Sequence, residues 1–540
     1  MSADITAFAA GYAFGLDDYQ RTACEHLAAG SGVLVAAPTG AGKTVVGEFA
    51  VFQALAQGRK CFYTTPIKAL SNQKYHDLCD RYGEQQVGLL TGDVSINGEA
   101  SVVVMTTEVL RNMIYAGSST LQDLGYVVMD EVHYLADRSR GAVWEEVIIS
   151  LAESVQVVAL SATVSNAEEF GEWLGEVRGE TAVVVTEKRP VPLYQHVMVG
   201  RRLVELFSGT EVNPELVRIA KEEGRGQRDD ARRPRGRSGN GRRSVAYGSG
   251  RYGGGAAHQR QESSRHLVPR RDATVERLRA EKLLPAIYFI FSRQGCDTAV
   301  SQLMRSGLRL TTSGERHRLA EILTRHSSAL SSADLSALGF DSFRGAFLEG
   351  IAAHHAGLLP AFKEAVEEAF VEGLIKVVFA TETLALGINM PARSVVLEKL
   401  VKFNGETHAD ITAGEYTQLT GRAGRRGIDT EGHSVVAWQP GLDPRALAGL
   451  ASRRTYPLRS SFRPTYNMAV NLVATVGRER ARGLLELSFA QFQSDRSVVG
   501  LARSIATNSN EITSRGRSCA TLEMSAVITL AMIGYPPVVC

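Results

Sequence analysis

Three groups of residues in this 540-residue sequence have types and spacings that suit chemistry. The first is Pro38-Thr39-Gly40-Ala41-Gly42-Lys43-Thr44. Gly40 and Gly42 let the backbone approach an anion closely, and the amides that follow wrap a phosphate at a helix N-terminus. Lys43 then suits β- and γ-phosphate oxygens, and the Thr44 hydroxyl suits Mg2+. The usual first glycine of such a turn is Ala37 here, so placement between a strand and a helix must carry the assignment. The second group is Asp130-Glu131-Val132-His133. Asp130 suits a water-mediated Mg2+ contact, and Glu131 suits orienting and deprotonating an attacking water. His133 is equally readable as a solvated loop histidine. The third group runs from Tyr416 to Gly427 and holds Gln418, Arg422 and Arg425. On a helix, arginines three residues apart share a face and reach a γ-phosphate held by another domain. The competing reading is a basic surface helix. Upstream, Phe14 and Gln20 suit adenine, one by stacking and one by donating and accepting at the base edge. Taken alone, those two residues are an ordinary helix start.

A phosphate turn needs a strand before it and a helix after it. Val33-Leu34-Val35-Ala36-Ala37 reads as the strand, and Val46, Phe49, Ala50, Phe52 and Leu55 supply the helical apolar period. Asp130 closes a second apolar run, and a carboxylate at the C-terminal end of a parallel strand faces the ligand crevice of an α/β sheet. The clearest strands are 33–37, 126–130, 157–160, 286–292, 376–380 and 394–397. They alternate with helical patterns in two sets, one before about residue 188 and one from about 190 to 440. The expectation is two α/β domains with parallel sheets. No tandem repeat of 20–50 residues is visible, which removes solenoids.

Composition bounds the rest. An apolar content of 44% excludes wholesale disorder. The apolar stretch 526–535 is shorter than the roughly 20 residues of a membrane span, and no secretory signal is evident at the N-terminus. Six widely spaced cysteines form no CxxC pair, which favours a reducing cytoplasm over a disulfide framework. The net charge of +2 conceals an uneven distribution. Residues 225–271 hold thirteen arginines, no lysine, three acids and nine glycines, a local charge of +10 that leaves the remainder at −8. Such a stretch is expected to be a disordered insertion, drawn at 222–272, because it buries too little apolar surface to offset its ordering entropy. It serves either as a solvated loop or as a sequence-blind arm for phosphates.

The ordered strings AAPTGAGKT, TTPIKALSNQKY, TGD, DEVH, SAT, IFSRQGCD, ATETLALGINMP and QLTGRAGRRG resemble superfamily 2 DExH-box helicases. His354-His355-Ala356-Gly357-Leu358, SFRPTYNMAVNL and LLELSFAQFQ point to the Ski-like subfamily, which includes exosome-associated RNA helicases and bacterial HelY-type helicases. The resemblance implies two tandem RecA-like P-loop domains, over 1–188 and 189–440, then the start of a winged-helix region at 441–500 and an atypical tail at 501–540. It implies ATP and Mg2+ as cofactors and single-stranded or partly duplex RNA or DNA as partner, with no membrane partner. Lys43, Asp130, Glu131, Gln418, Arg422 and Arg425 take catalytic positions, and Thr44 and Asp130 the metal position. Phe14, Gln20, Pro38, Thr39, Gly40, Ala41, Gly42, Lys43, Thr44 and Gly387 match nucleotide-contact positions. Thr65, Pro66, Thr91, Gly92, Thr106, Thr107 and Thr381 match loops that grip a strand backbone through amides and short hydroxyls. Ser161-Ala162-Thr163 matches the element that couples the two sites, and 397–412 the position of a strand-separating hairpin.

The implied activity is ATP-driven 3′-to-5′ movement and duplex separation. Family members are usually much longer, with a helical bundle after the winged helix, and residues from about 506 onward match nothing expected there. The ending reads as truncated or frame-shifted, which leaves an ATP-dependent clamp without processive unwinding as the alternative. A P-loop enzyme acting on proteins or small molecules fits poorly with Arg422, Arg425 and the family-ordered strings.

Overall fold

Val33, Leu34, Val35 and Ala36 are all fully buried. Successive side chains on a strand point to opposite faces, so a run this apolar requires cover on both sides. In the computed structural model, which describes residues 3–137, 140–231, 266–385, 390, 392–403, 407–452 and 455–498, that is what it has. Val33 and Val35 join a core built with the helices Asp18–Ala28 and Thr44–Ala56. Leu34 and Ala36 join the opposite core, around Trp144 and Phe170.

The first sheet contains β1 (Gly32–Ala36), β2 (Lys60–Thr65), β3 (Val87–Leu90), β4 (Ser95–Ile96), β5 (Val102–Thr106), β6 (Leu124–Met129), β7 (Gln156–Ser161) and β8 (Thr181–Val185). Its order is β4-β3-β5-β2-β6-β7-β1-β8, and every pairing except β3 with β4 is parallel. The second sheet draws on β9 (Leu193–Val199) and β10 (Arg202–Glu205). A small ribbon, β11 (Phe207–Ser208) with β12 (Glu211–Val212), follows them in the chain. The second sheet is completed by β13 (Ala286–Phe289), β14 (Ile351–His354), β15 (Val377–Ala380) and β16 (Ser394–Leu397). Then come the hairpin of β17 (Val401–Phe403) and β18 (His408–Asp410), and finally β19 (Gly432–Ala437). The order is β10-β9-β19-β16-β13-β15-β14, parallel throughout except for β10 against β9. The parallel α/β architecture anticipated from the apolar runs is therefore present in both halves, with one antiparallel edge strand in each.

The expected disordered insertion differs at both ends. The helix Pro214–Ala231 covers its first ten residues, and the helix Arg271–Ala280 begins inside its last two. Leu216 and Ile219 anchor the first helix in the core before the charged stretch begins, and propagation costs less than nucleation. At the other end Arg271 is tied down by Glu398, at 2.7 and 2.9 Å, and by Gln302 at 3.0 Å. Residues 232–265 and the atypical tail lie outside the described residues. Among the described residues no helix is long and apolar enough to cross a membrane. Cys24, Cys61, Cys79 and Cys296 are free thiols.

After the second sheet the chain returns to the first. Leu458 exchanges two hydrogen bonds with Asn166, and Trp173 Nε1 donates to the Leu487 carbonyl at 2.7 Å. Phe489 packs against Phe170 and Trp173. The helices Tyr466–Val476 and Arg478–Glu486 occupy the stretch expected to open a winged helix. Buried Glu145 fastens this segment by accepting from the Ser460 hydroxyl and from the Phe489 amide at 2.8 Å. Burial raises its pKa to about 7 against the opposing pull of those donors. A raised carboxyl pKa stabilises the fold while protonated, so this contribution is present below the unfolded value and lost as pH climbs through about 7. Thermal unfolding is expected to show up to about 3 kcal/mol less stability from this group at pH 8 than at pH 4. Glu145→Gln should flatten that dependence, and an unchanged pH profile in the variant would contradict it.

Candidate nucleotide site and strand path

The phosphate turn follows β1 directly and leads into the helix Thr44–Ala56. Gly42 has φ of +89°, and a Cβ there would lie 2.7 Å from Arg426 Nη1 and 3.0 Å from Gln20 Nε2, so only glycine fits. Three side chains hold the turn's carbonyls. Tyr19 donates to the Ala41 carbonyl at 2.8 Å, Arg426 Nη1 to the same oxygen at 2.7 Å, and Gln20 Nε2 to the Gly42 carbonyl at 2.7 Å. With those oxygens held back, the positive ends of the peptide dipoles are left for an anion. Gln20 is also engaged at its other end, where Oε1 accepts from the Asp17 amide at 2.8 Å in a capping box. Its carboxamide therefore supports the phosphate turn, and reading a base would require it to exchange one of these bonds. Pro38 accepts from Ala41, and Thr39 lies beside Gly421, where a Cβ would come within 3.0 Å of the Thr39 Cβ.

Lys43 is buried, with Nζ 3.4 Å from Glu131 Oε1. Glu131 follows β6 in the left-handed region, φ +53°, a conformation sparsely used outside glycine and concentrated where side-chain aim matters. Asp130 Oδ1 accepts from the Glu131 amide at 2.9 Å, and Asp130 Oδ2 accepts from Tyr63 at 3.0 Å. Burial and the Glu131 charge push the Asp130 carboxyl up to about 6, against the pull of Lys43 and Lys74. Burial acts the same way on Glu131, but the charges of Lys43 and Arg422 oppose it, and that carboxyl is held below its ordinary range.

His133 is buried, which overturns the solvated-loop reading. Burial lowers its pKa to about 4, so the ring is neutral. The Ala162 amide lies 3.2 Å and Glu131 Oε2 3.3 Å from Nδ1, while Gln418 Nε2 donates to Nε2 at 2.7 Å. One ring thus touches the carboxylate loop, the Ser161-Ala162-Thr163 segment and the second domain.

The arginines are not on a helix. The helix Ala413–Thr420 stops at a C-cap on Gly421, and Arg422, Arg425 and Arg426 follow in irregular turns. The expectation of one face presenting Arg422 and Arg425 together is corrected accordingly, because the helix ends at Gly421, before Arg422, and Gly424, at φ +88°, turns the chain between the two arginines. Arg422 is buried, and Glu131 holds up the guanidinium pKa that burial lowers, which places the two charges within mutual influence. Arg425 turns instead to Asp429, with Nε and Nη2 at 2.7 and 2.9 Å from its carboxylate. Arg426, which the spacing does not single out, crosses to the first domain. Its Nη2 donates to Asp17 at 2.8 Å, and its guanidinium lies 5.6 Å from the centroid of the Phe14 ring.

Residues 17–170 match the DEAD/DEAH box helicase family and residues 322–427 match the helicase conserved C-terminal domain. The chain carries a DEAD/DEAH-box helicase core. It is 59% identical over 511 residues to the "Probable helicase HelY" of Mycobacterium tuberculosis (strain ATCC 25618 / H37Rv), covering 93% of this chain and 54% of that protein. "DExH-box ATP-dependent RNA helicase DExH15 chloroplastic" of Arabidopsis thaliana is 38% identical, over 94% of this chain and 46% of its own. "Superkiller complex protein 2" of Homo sapiens is 39% identical, over 89% and 38%. The chain spans about half the length, or less, of these curated relatives.

DEAD/DEAH-box helicases bind ATP, and the donors suit a magnesium ion beside it. Asp130 is a buried carboxylate in surroundings that a cation would relieve, and Thr44 supplies a hydroxyl oxygen. Among the described residues no cluster of three His, Cys, Asp or Glu could hold a metal ion. The positions expected to contact a strand separate into two kinds. Thr65, Pro66, Thr106 and Thr107 are buried. The Thr65 hydroxyl bonds Ser71 and the Ile67 carbonyl, and Thr107 reaches the Thr65 carbonyl, so these hydroxyls shape loops instead of facing solvent. What the loops offer a phosphate is backbone, at the N-termini of the helices Lys68–Tyr82 and Thr107–Tyr115, set side by side by the β2–β5 pairing. Gly92 is exposed, Thr91 bonds Asp93, and Asp93 pairs with Lys68 at 2.8 Å. Thr381 contacts Thr383 at 2.9 Å in the second domain. Gly387 lies outside the described residues. The span 397–412, whose residue types carry no decisive signal, contains the β17–β18 hairpin, with Phe403 exposed beside His408.

Proposed function

We propose that this protein is an ATP-driven translocase and helicase acting on single-stranded RNA or DNA, moving 3′ to 5′ and separating duplexes at the β17–β18 hairpin, in a cytoplasmic setting. The observation that carries the reading is the cross-domain hydrogen bond from Gln418 to His133 in the carboxylate loop, with buried Arg422 of the second domain within the electrostatic influence of Glu131. Hydrolysis supported from the second domain depends on closure, and closure is the motion a motor needs.

In this reading the amides after Gly40 and Lys43 hold the β- and γ-phosphates. Glu131 orients a water and takes its proton as the water oxygen bonds to the γ-phosphorus and the bond to the β–γ bridging oxygen breaks. Arg422 stabilises the charge that accumulates on the transferring group. Bound Mg2+, near Thr44 and Asp130, supplies further charge neutralisation. His133 passes the state of this loop to Ala162 and to Gln418, hence to both sides of the cleft. Phe14 and Arg426 bracket the slot for the base. Alanine at either position is expected to raise KM for ATP three- to tenfold, about 0.5–1.5 kcal/mol, with kcat little changed. Because stacking does not read base identity, KM for GTP should rise in parallel; an ATP-selective effect would contradict the slot.

The polarity is tested with duplexes carrying a 3′ or a 5′ single-stranded tail. ATP-dependent displacement confined to the 3′-tailed duplex supports the proposal. ATP-dependent retention on single strands without displacement from either duplex would favour a clamp.

A further inference from the structure

Several carbonyls around the arginine turn accept from backbone amides. Those of Thr417, Leu419 and Thr420 accept from the amides of Gly421, Arg422 and Ala423, and that of Arg422 accepts from the Ala392 amide at 3.0 Å. The Gly421 and Ala423 carbonyls, on either side of Arg422, are met by one side chain. Arg189 Nη2 donates to both, at 3.3 Å to Gly421, while Arg189 Nε donates to the Val191 carbonyl at 2.9 Å. An unmet carbonyl in a buried turn costs about 1–3 kcal/mol, and a charged donor near a helix C-terminus meets it better than a neutral one. Arg189 is itself half-buried, and burial lowers its pKa to about 10 with no acidic neighbour among the described residues offsetting it. It therefore stays charged at neutral pH, and carbonyl dipoles take the place of a counter-ion.

Arg189 belongs to neither sheet. It lies between β8 and β9, in the single stretch of chain that leads from the first domain into the second. At the first-domain end the Thr186 amide donates to the Ala36 carbonyl at 2.9 Å, one residue before the phosphate turn region begins at Ala37. At the other end Pro192 accepts from Gly432 at 2.8 Å. Val191 packs so closely on the turn that a Cβ on Gly424, whose φ is +88°, would come within 2.6 Å of it. The linker is thus bonded at one end to the strand that carries the phosphate turn and at the other to the turn that carries Arg422.

We propose that Arg189 is a positioning residue for ATP hydrolysis, holding the Gly421 and Ala423 carbonyls so that Arg422 is presented to the Glu131 site. Through it, the linker sets the reach of the arginine turn whenever the two domains change their separation. The proposal rests on the ATPase reading, and wild-type turnover is the control that separates the two. A wild type without ATP turnover fails that reading, whereas the variants below address Arg189 alone.

The test is a double-mutant cycle on the whole chain. Arg189→Ala is expected to lower kcat by about tenfold or more, the order that misplacement of a transition-state group carries. Arg189→Lys, whose ammonium reaches fewer acceptors, should fall in between. Methylguanidinium added to Arg189→Ala should restore part of the lost turnover. The decisive comparison is with Arg422→Ala. If Arg189 acts through Arg422, the double variant is no slower than Arg422→Ala within about threefold, because the second loss has nothing left to misplace. A deficit in the double variant equal to the product of the two single deficits would overturn the proposal, as would full turnover in Arg189→Ala. Should Arg189→Ala fail to fold, the same cycle run with Arg189→Lys makes the same distinction.

Discussion

Arg422→Ala is expected to lower ATP turnover by about 10³-fold or more while nucleotide affinity stays close to wild type. Arg422 is buried and within the electrostatic reach of Glu131, so its charge is undiluted by solvent where the γ-phosphate would sit. Arg425→Ala is expected to behave differently. Its guanidinium and amide engage Asp429, whose side chain is 2% exposed. Removing the guanidinium leaves that carboxylate with only the residue-425 amide and the Arg393 charge, which costs about 1–3 kcal/mol, so the loss should register first in thermal unfolding. The checks are steady-state ATPase, fluorescent-nucleotide binding and a melting curve for each variant. Equal kinetic loss in both with no change in melting would mean that the two arginines act together on the phosphate and that the Asp429 pair is dispensable.

Glu131→Gln should be the second large effect, a loss of about 10²–10⁴ in kcat with ATP still bound. The carboxamide keeps the shape of the side chain and can accept a hydrogen bond from water, but it cannot take the proton. The substitution also removes the charge that faces Lys43 at 3.4 Å and Arg422, so ATP binding is expected to hold or tighten as Lys43 is released toward phosphate. Binding measured by fluorescent ATP and single-turnover hydrolysis separate these two consequences. Retained turnover would remove Glu131 from the chemistry.

The strand-level architecture is legible in the sequence because the relevant signals are local. An apolar run such as Val33-Leu34-Val35-Ala36 can be satisfied only between two layers, and the turn after it is dense in glycine. Asp17 and Gln20 also stand at capping-box spacing, a local signal that competes with adenine recognition for the same carboxamide. Most of the site's internal wiring is not legible. Gln418 meets His133 across 285 positions of sequence, and Arg426 meets Asp17 across 409. No periodicity reports contacts at such separations, since they arise from the mutual placement of two sheets. The residues of the arginine motif permit a helix, yet it ends at Gly421, and Gly424 turns the chain between Arg422 and Arg425. The ends of the arginine-rich stretch depart from expectation for a related reason: Leu216 and Glu398 order its flanks, and neither belongs to it.

The central claim is that a nucleic-acid strand and ATP act on one closing cleft. It is tested most directly by ATP turnover of the purified chain with and without matched single-stranded RNA and DNA, across a salt series. A severalfold rise in kcat with at least one strand, weakening steeply with salt as phosphate contacts predict, is the result expected. Turnover that neither strand alters at any salt concentration would contradict it.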